Sequence, residues 1–380
     1  MPEPATPAPE PNPPASTTSS GSSLGRSPGD RFTRATARTA AAAGGRGGAL
    51  ILLAALVLVF GITAEGFLTK DNLLNILRQY SVPMILAVGQ TMVIVSRGID
   101  LSVAATAALS GSVMGVAFAH WGWPEPAALG IGLAAGFAVG LFNGFVITKW
   151  KVPDFVATLG TFSAVPGIAL LITDGLPVPD FAQAVEGRTI PSVVSTLGAD
   201  SWLGIPNIAI VAAVCALVGG FVLGRTRLGR SAYAIGGNPE AARVSGINVD
   251  RSKIWIYIFA GVLAAVAGFM LTGRQGSANA LMGEGMELQA IAAVVIGGTN
   301  LFGGEGRVSG TVIGVLIIGV LSNGLSILGI SEFWQQVVNG LIIILVVALD
   351  QWRRRAARAG GGSTAPAPAA ASAGGAGGGT

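Results

Sequence analysis

The sequence predicts an all-α fold, a polytopic membrane bundle of about ten transmembrane helices with both termini cytoplasmic. Three observations carry that expectation. Hydrophobic residues make up 51% of the 380-residue chain and charged residues only 11%, with a mean hydropathy of +0.65. A soluble domain carries about 25% charged residues to wet its surface. Charge-free runs recur at bilayer length, and a helix needs roughly 20 apolar residues, with about 17 as the lower limit, to cross the hydrocarbon. Basic residues also segregate. With the N-terminus inside, 19 of the 23 Lys and Arg fall on the cytoplasmic side, leaving Lys70, Arg78, Arg188 and Arg274 outside. The positive-inside rule then sets the orientation.

Residues 1–46 are rich in Pro, Ala, Ser, Thr and Gly and are expected to form a disordered cytoplasmic tail, because they bury too little apolar surface to offset ordering entropy. The first apolar run starts near Gly47, later than a cleaved signal peptide would place it, and reads as a retained span over 47–64. Further spans are expected at 79–96, 101–119, 126–148, 155–173, 201–224, 254–273, 288–304, 308–331 and 333–349. These make 47–350 a transmembrane domain, followed by a basic and then Gly/Ala-rich disordered tail over 351–380. The 57 glycines suit close helix contact in lipid. The single Cys215 and single His120 leave no disulfide framework and no Cys- or His-rich metal site within one chain, and His120 beside Trp121 and Trp123 reads as an interface residue.

Between 79 and 119 the only charged residues are Arg97 and Asp100, in the stretch SRGIDLS. Splitting the run there gives two helices of spanning length. In a tight cytoplasmic hairpin, Gly98 takes the left-handed conformation, Arg97 complements the negative end of the first helix and Asp100 caps the second. The competing reading is a broken helix inside the membrane, with Asp100 and unwound backbone lining a solute path.

The longest cytoplasmic connection, 225–253, contains NPEAARVSG, which reads as a short helix. Asn238 caps it, Pro239 fits its first turn, Glu240 favours the positive end of its dipole and Gly246 closes it. About seven residues are marginal alone in water, so the helix needs a surface to lie against. Ala241 and Ala242 offer a smooth docking face, while Arg243 and Arg251 supply charge. A basic loop resting on anionic headgroups is the plainer alternative.

Elsewhere the spans carry hydrogen-bonding groups but little fixed charge: Gln90, Thr91, Ser102, Asn143, Thr158 and Thr161. These suit a neutral polyhydroxyl solute better than an ion, although each also reads as an interhelical hydrogen bond. The glycine run GGTNLFGGEGRVSG over 297–310 lacks the Lys-Ser/Thr ending of a P-loop and the spacing of GxGxxG. ATP chemistry would therefore sit on another chain.

Four stretches together resemble a known family. AIGGNPEAARVSGINVDRSK looks like the cytoplasmic coupling segment of ribose-type permeases, the sugar-permease subunits of bacterial ABC importers. VGQTMVIVSRGIDLSV (88–103) resembles that family's GIDLSVG signature, and GLFNGFVITKWKVPDFVATLGT (140–161) its NG and TLG region. MELQAIAAVVIGGTNLFGGEGRVSGTVIGVL (286–316) resembles its ELDAIAA block. The match runs from about 65 to 350. It implies a multi-pass permease of the bacterial plasma membrane that imports ribose, xylose, arabinose, galactose or a related neutral sugar. Its partners would be an ABC ATPase that uses the ATP, an extracytoplasmic solute-binding protein, a second permease copy, here expected to be identical, and lipid. No bound cofactor, metal, catalytic residue or nucleic acid is implied. Coupling to the ATPase would fall on Asn238, Glu240, Ala241, Ala242, Arg243, Gly246 and Ile247, and the substrate path on Gln90, Asp100, Ser102, Asn143 and Thr158. Departures occur at Arg97, where the family usually has Gly, at Ala104 for Gly, at Asp154 for a second Pro and at Gln289 for Asp, and they loosen the link to ribose itself. A secondary transporter or channel without an ATPase is the alternative, and would be expected to carry ionisable residues within its spans.

Overall fold

The computed structural model describes residues 46–338 and, beyond them, 340, 341, 344 and 348. The expected tails, apart from Arg46, lie outside the described residues. Those residues belong to one unit, Ala43–Thr380, and its elements are almost all helical. In chain order they are α1 (Arg46–Thr63), α2 (Lys70–Val95), α3 (Val103–Ala119), α4 (Glu125–Lys149), α5 (Asp154–Ile172), α6 (Phe181–Val185) and α7 (Ser192–Ala199). A two-stranded antiparallel hairpin follows, β1 (Ser201–Trp202) and β2 (Ile205–Pro206). The chain continues with α8 (Asn207–Arg225), α9 (Arg227–Gly237), α10 (Pro239–Val244), α11 (Val249–Gln275), α12 (Met286–Ile296) and α13 (Val308–Ile327). Residues 332–338 are helical as well.

Helices α4, α5, α8, α11 and α13 are each long and apolar enough to cross a membrane, and α1 and α3 contain shorter apolar stretches of 17 residues. The 26-residue α2 covers the expected 79–96 span up to Val95, with Ser96 as its cap. Helix α11 runs through the middle, packed against α2, α3 and α4. Four glycines at every fourth position of α4, Gly132, Gly136, Gly140 and Gly144, let the backbones of α4 and α11 meet. A Cβ on Gly140 would strike the Tyr257 carbonyl, and one on Gly136 the Gly261 carbonyl. Much of the glycine content thus serves interhelical contact.

Two expected spans are corrected. The 201–224 run opens with the β1–β2 hairpin, so its helix begins only at Asn207. The 288–304 run is not one helix: α12 has 11 residues, about 16 Å, half of the roughly 30 Å hydrocarbon. The preceding loop, 276–285, is packed inside the chain, with Ala278, Ala280 and Met282 buried. Ala278 bridges to Val178, and Gly285 (φ 85) makes the left-handed turn that starts α12. Within a membrane, non-helical backbone is tolerated only where it is covered by protein in this way. At the far end of the bundle, the His120 ring pairs with Gln183, and the Trp121 and Trp123 rings lie 5.4 Å apart.

Candidate functional site

The end of the bundle that the basic residues place in the cytoplasm gathers all four sequence motifs. Helix α2 closes there with a double turn, Gly98 N donating to Val93 O and Arg97 N to Ile94 O, both at 2.9 Å. The left-handed residue is Arg97 (φ 65), not Gly98 as the sequence suggested. Glycine is the usual choice at such a position. Gly98 is small for another reason: a Cβ there would lie 2.7 Å from both Asp154 Oδ2 and Tyr257 OH. The Arg97 side chain also departs from its expected place over the end of α2, since its Nε donates to Phe302 O at 2.8 Å.

Asp100 does not cap α3. Its Oδ1 accepts from Ser102 N (2.8 Å) and Ser102 Oγ (2.6 Å), while α3 has no side-chain cap. From Ser102 the bonding spreads. Asn143 Nδ2 donates to Ser102 Oγ at 2.9 Å, Thr161 Oγ1 to Asn143 Oδ1 at 2.9 Å and Thr158 Oγ1 to Ile99 O at 3.0 Å. The Gln90 amide faces the Asp100 backbone. With its nitrogen toward the carbonyl, it donates to Asp100 O and accepts from Asp100 N, each at 3.2 Å. The structure therefore brings Gln90, Asp100, Ser102, Asn143 and Thr158 together with Thr161 in one buried cluster tying α2, α4 and α5 to the 96–102 loop; none is more than 6% exposed. Thr91 lies apart, its Oγ1 2.7 Å from Thr311 Oγ1. With Ser96, Asp100 and Ser102 all buried, the break is not a hairpin open to water.

Beside this loop is an ion pair that sequence reasoning missed. Lys253 Nζ donates to Asp154 at 2.6 and 2.9 Å, and Tyr257 OH donates to Asp154 Oδ2 at 2.9 Å; both charged side chains are largely covered. The available signal was a lone acid at the start of α5; at the start of α11, Lys253 stands beside Asp250 and Arg251 and is not distinguished by sequence.

What covers the loop is α9 together with the glycine run. Gly304 N donates to Val95 O at 2.9 Å, Tyr233 OH donates to Gly306 O at 2.7 Å, and Gly236 lies against Val95 O and Gly304 N so closely that no Cβ would fit. The glycines of 297–310 thus permit backbone-to-backbone stacking.

Helix α10 has the ends its sequence suggests. Asn238 Oδ1 accepts from Glu240 N (3.0 Å) and Ala241 N (3.1 Å), and Arg243 Nη1 pairs with Glu240 Oε1 at 3.0 Å. Gly246 (φ 83) turns the chain so that Ile247 N bonds to Ala242 O at 3.0 Å. The docking face needs correction. Ala242 is 4% exposed, packed with Ile235 and Val249 inside the chain, and is small so that α10 can lie down on α9 and α11. The outward face consists of Glu240, Ala241, Arg243 and Val244, of which Val244 is 89% exposed. Val244 was not singled out in the sequence, although its place three residues after Ala241 puts both on one face.

Residues 72–347 match the family described as branched-chain amino acid transport system / permease component. A ribose import permease protein of Bacillus subtilis is 43% identical over 78% of this chain and 89% of its own length. The corresponding ribose import permease protein of Escherichia coli K12 is 40% identical over 79% and 92%. A xylose transport system permease protein of Haemophilus influenzae is 36% identical over 79% and 94%. No solved structure gives a significant match.

Proposed function

Because the chain belongs to this permease family, as a multi-pass protein of the bacterial cell membrane, we propose that it is the transmembrane subunit of an ATP-driven importer for a neutral sugar or sugar-like solute. ATP would be hydrolysed on a separate ABC ATPase chain, with no cofactor held here. A solute-binding protein would deliver the solute outside, and a second, identical copy would complete the pore.

The observation that carries this reading is the mechanical continuity behind α10. Its outer face presents an apolar Val244 and Ala241 between opposite charges, a surface suited to a protein partner. Behind it, Ala242 packs on Ile235 of α9, and α9 meets Val95 and the glycine run over the loop that carries Asp100. In this reading, Asn238, Glu240, Ala241, Arg243, Gly246 and Ile247 present and brace the coupling helix, with Ala242 acting from beneath. A partner that displaces α10 therefore moves the lid of the Gln90–Asp100–Ser102–Asn143–Thr158 cluster. As these side chains are bonded to one another in this conformation, they line a solute route only when that lid shifts. Such gating matches alternating access between two packed arrangements.

The test is Val244→Glu. It puts charge on the exposed face while leaving the packing of Ala242 untouched, so membrane abundance should stay normal while co-purification with the ATPase and sugar-stimulated ATP hydrolysis are lost. Full uptake by this variant would overturn the assignment of α10 as the coupling helix.

A further inference from the structure

Away from the coupling end lies a small cavity of about 220 Å³, lined by Ala104, Phe162, Pro166, Met282, Glu284 and Glu287 among others. Glu287, in the first turn of α12, is 4% exposed, and its Oε2 has no hydrogen-bond partner. A buried carboxylate oxygen without a partner costs far more than one left in water, so its retention calls for a ligand that satisfies it in another state. The position fits a solute site. Phe162 is about 12 Å along α5 from Asp154, and Ala104 is two residues from Ser102 of the buried cluster. The loop 276–285 and the first turn of α12 bring Glu284 and Glu287 to the cavity.

We propose that this cavity is the intramembrane solute subsite and that it takes a neutral polyhydroxyl compound of monosaccharide size. Glu287 and Glu284 accept hydrogen bonds from its hydroxyl groups, and Phe162, Pro166 and Met282 pack on its C–H face. The inference rests on the transport reading above and deepens it by choosing between solute classes. A free amino acid could pair its ammonium with one glutamate but would leave its carboxylate buried beside the other, with no Lys or Arg among the lining residues to pair it. The site thus disfavours amino acids relative to neutral hydroxyl donors.

The experiment uses the purified full-length chain in the Cys215→Ala background with Leu281→Cys, a position that lines the same cavity and is half exposed. Alkylation of the new thiol is timed with D-ribose, D-xylose, L-arabinose, D-galactose or L-leucine present. At least one sugar should slow the reaction and L-leucine should not. Adding Glu287→Gln, which keeps shape and removes charge, should raise the protecting concentration at least about tenfold, as loss of a charge-assisted hydrogen bond requires. Phe162→Leu should raise it too. Protection by none of the sugars, protection by L-leucine, or protection unaltered by both substitutions would overturn the proposal. ATP-driven sugar uptake by the parent chain in the complete complex is measured alongside. Sugar protection without such uptake would leave the subsite standing and remove the transport reading instead.

Discussion

Two buried polar groups lie on either side of Ala104 and differ in one respect. In the cluster around Asp100, the named side chains are bonded to one another or to the 96–102 backbone, and four segments meet there, α2, the 96–102 loop, α4 and α5. Around the cavity, Glu287 keeps an oxygen with no partner although it is equally buried. A satisfied network in a low-dielectric interior fixes one arrangement, because each member lost leaves its partner stranded. An unsatisfied group adds little to that arrangement and is free to contribute to another. In this conformation the first group holds the fold at the coupling end, and joins a solute route only when its lid shifts; the second is open to a solute as it stands.

The comparison can be broken by stability measurements. The largest effect is expected from Asp154→Ala, which strands Lys253 and should cost about 3 kcal/mol, read as a fall in the thermal unfolding midpoint of the detergent-solubilised chain. Asn143→Leu leaves Ser102 and Thr161 without their shared partner and should cost about 2 kcal/mol in the same assay. Glu287→Gln removes no hydrogen bond from its Oε2 and should change stability by less than about 1 kcal/mol. A loss as large as that of Asn143→Leu would erase the distinction between the two groups. The smallest change is Arg97→Gly. It relieves a left-handed arginine but gives up the bond to Phe302, so the two effects should cancel to within about 1 kcal/mol.

What was legible in the sequence was local. The cap at Asn238, Pro239 in the first turn and the closing Gly246 depend on neighbours a few residues away, and the structure places them as read. Membrane class was legible because composition and long charge-free runs are summed over many residues. The side of α10 that faces inward was not, because two adjacent alanines look alike until Ile235 and Val249, distant by a turn and a bend, choose Ala242. The half-length of α12 was hidden because the run 288–304 stays free of charge past the helix end, and the Gly297-Gly298-Thr299-Asn300 stretch that stops the helix was counted into the span. Asp154 paired with Lys253 and the unpaired oxygen of Glu287 are consequences of packing between segments far apart in the chain. The residues proposed for the substrate path were picked out by their polarity inside apolar runs, whereas their bonding to one another was not legible.

The central claim, that this chain moves a sugar with energy from a partner's ATP hydrolysis, meets its most direct test in cells carrying the complete transporter. Uptake of a radiolabelled sugar that the parent chain accumulates is followed after ATP is depleted while the proton and sodium gradients are kept. Uptake should stop, and return when ATP is restored. Continued uptake on the ion gradient alone would contradict the account and make the chain a secondary transporter.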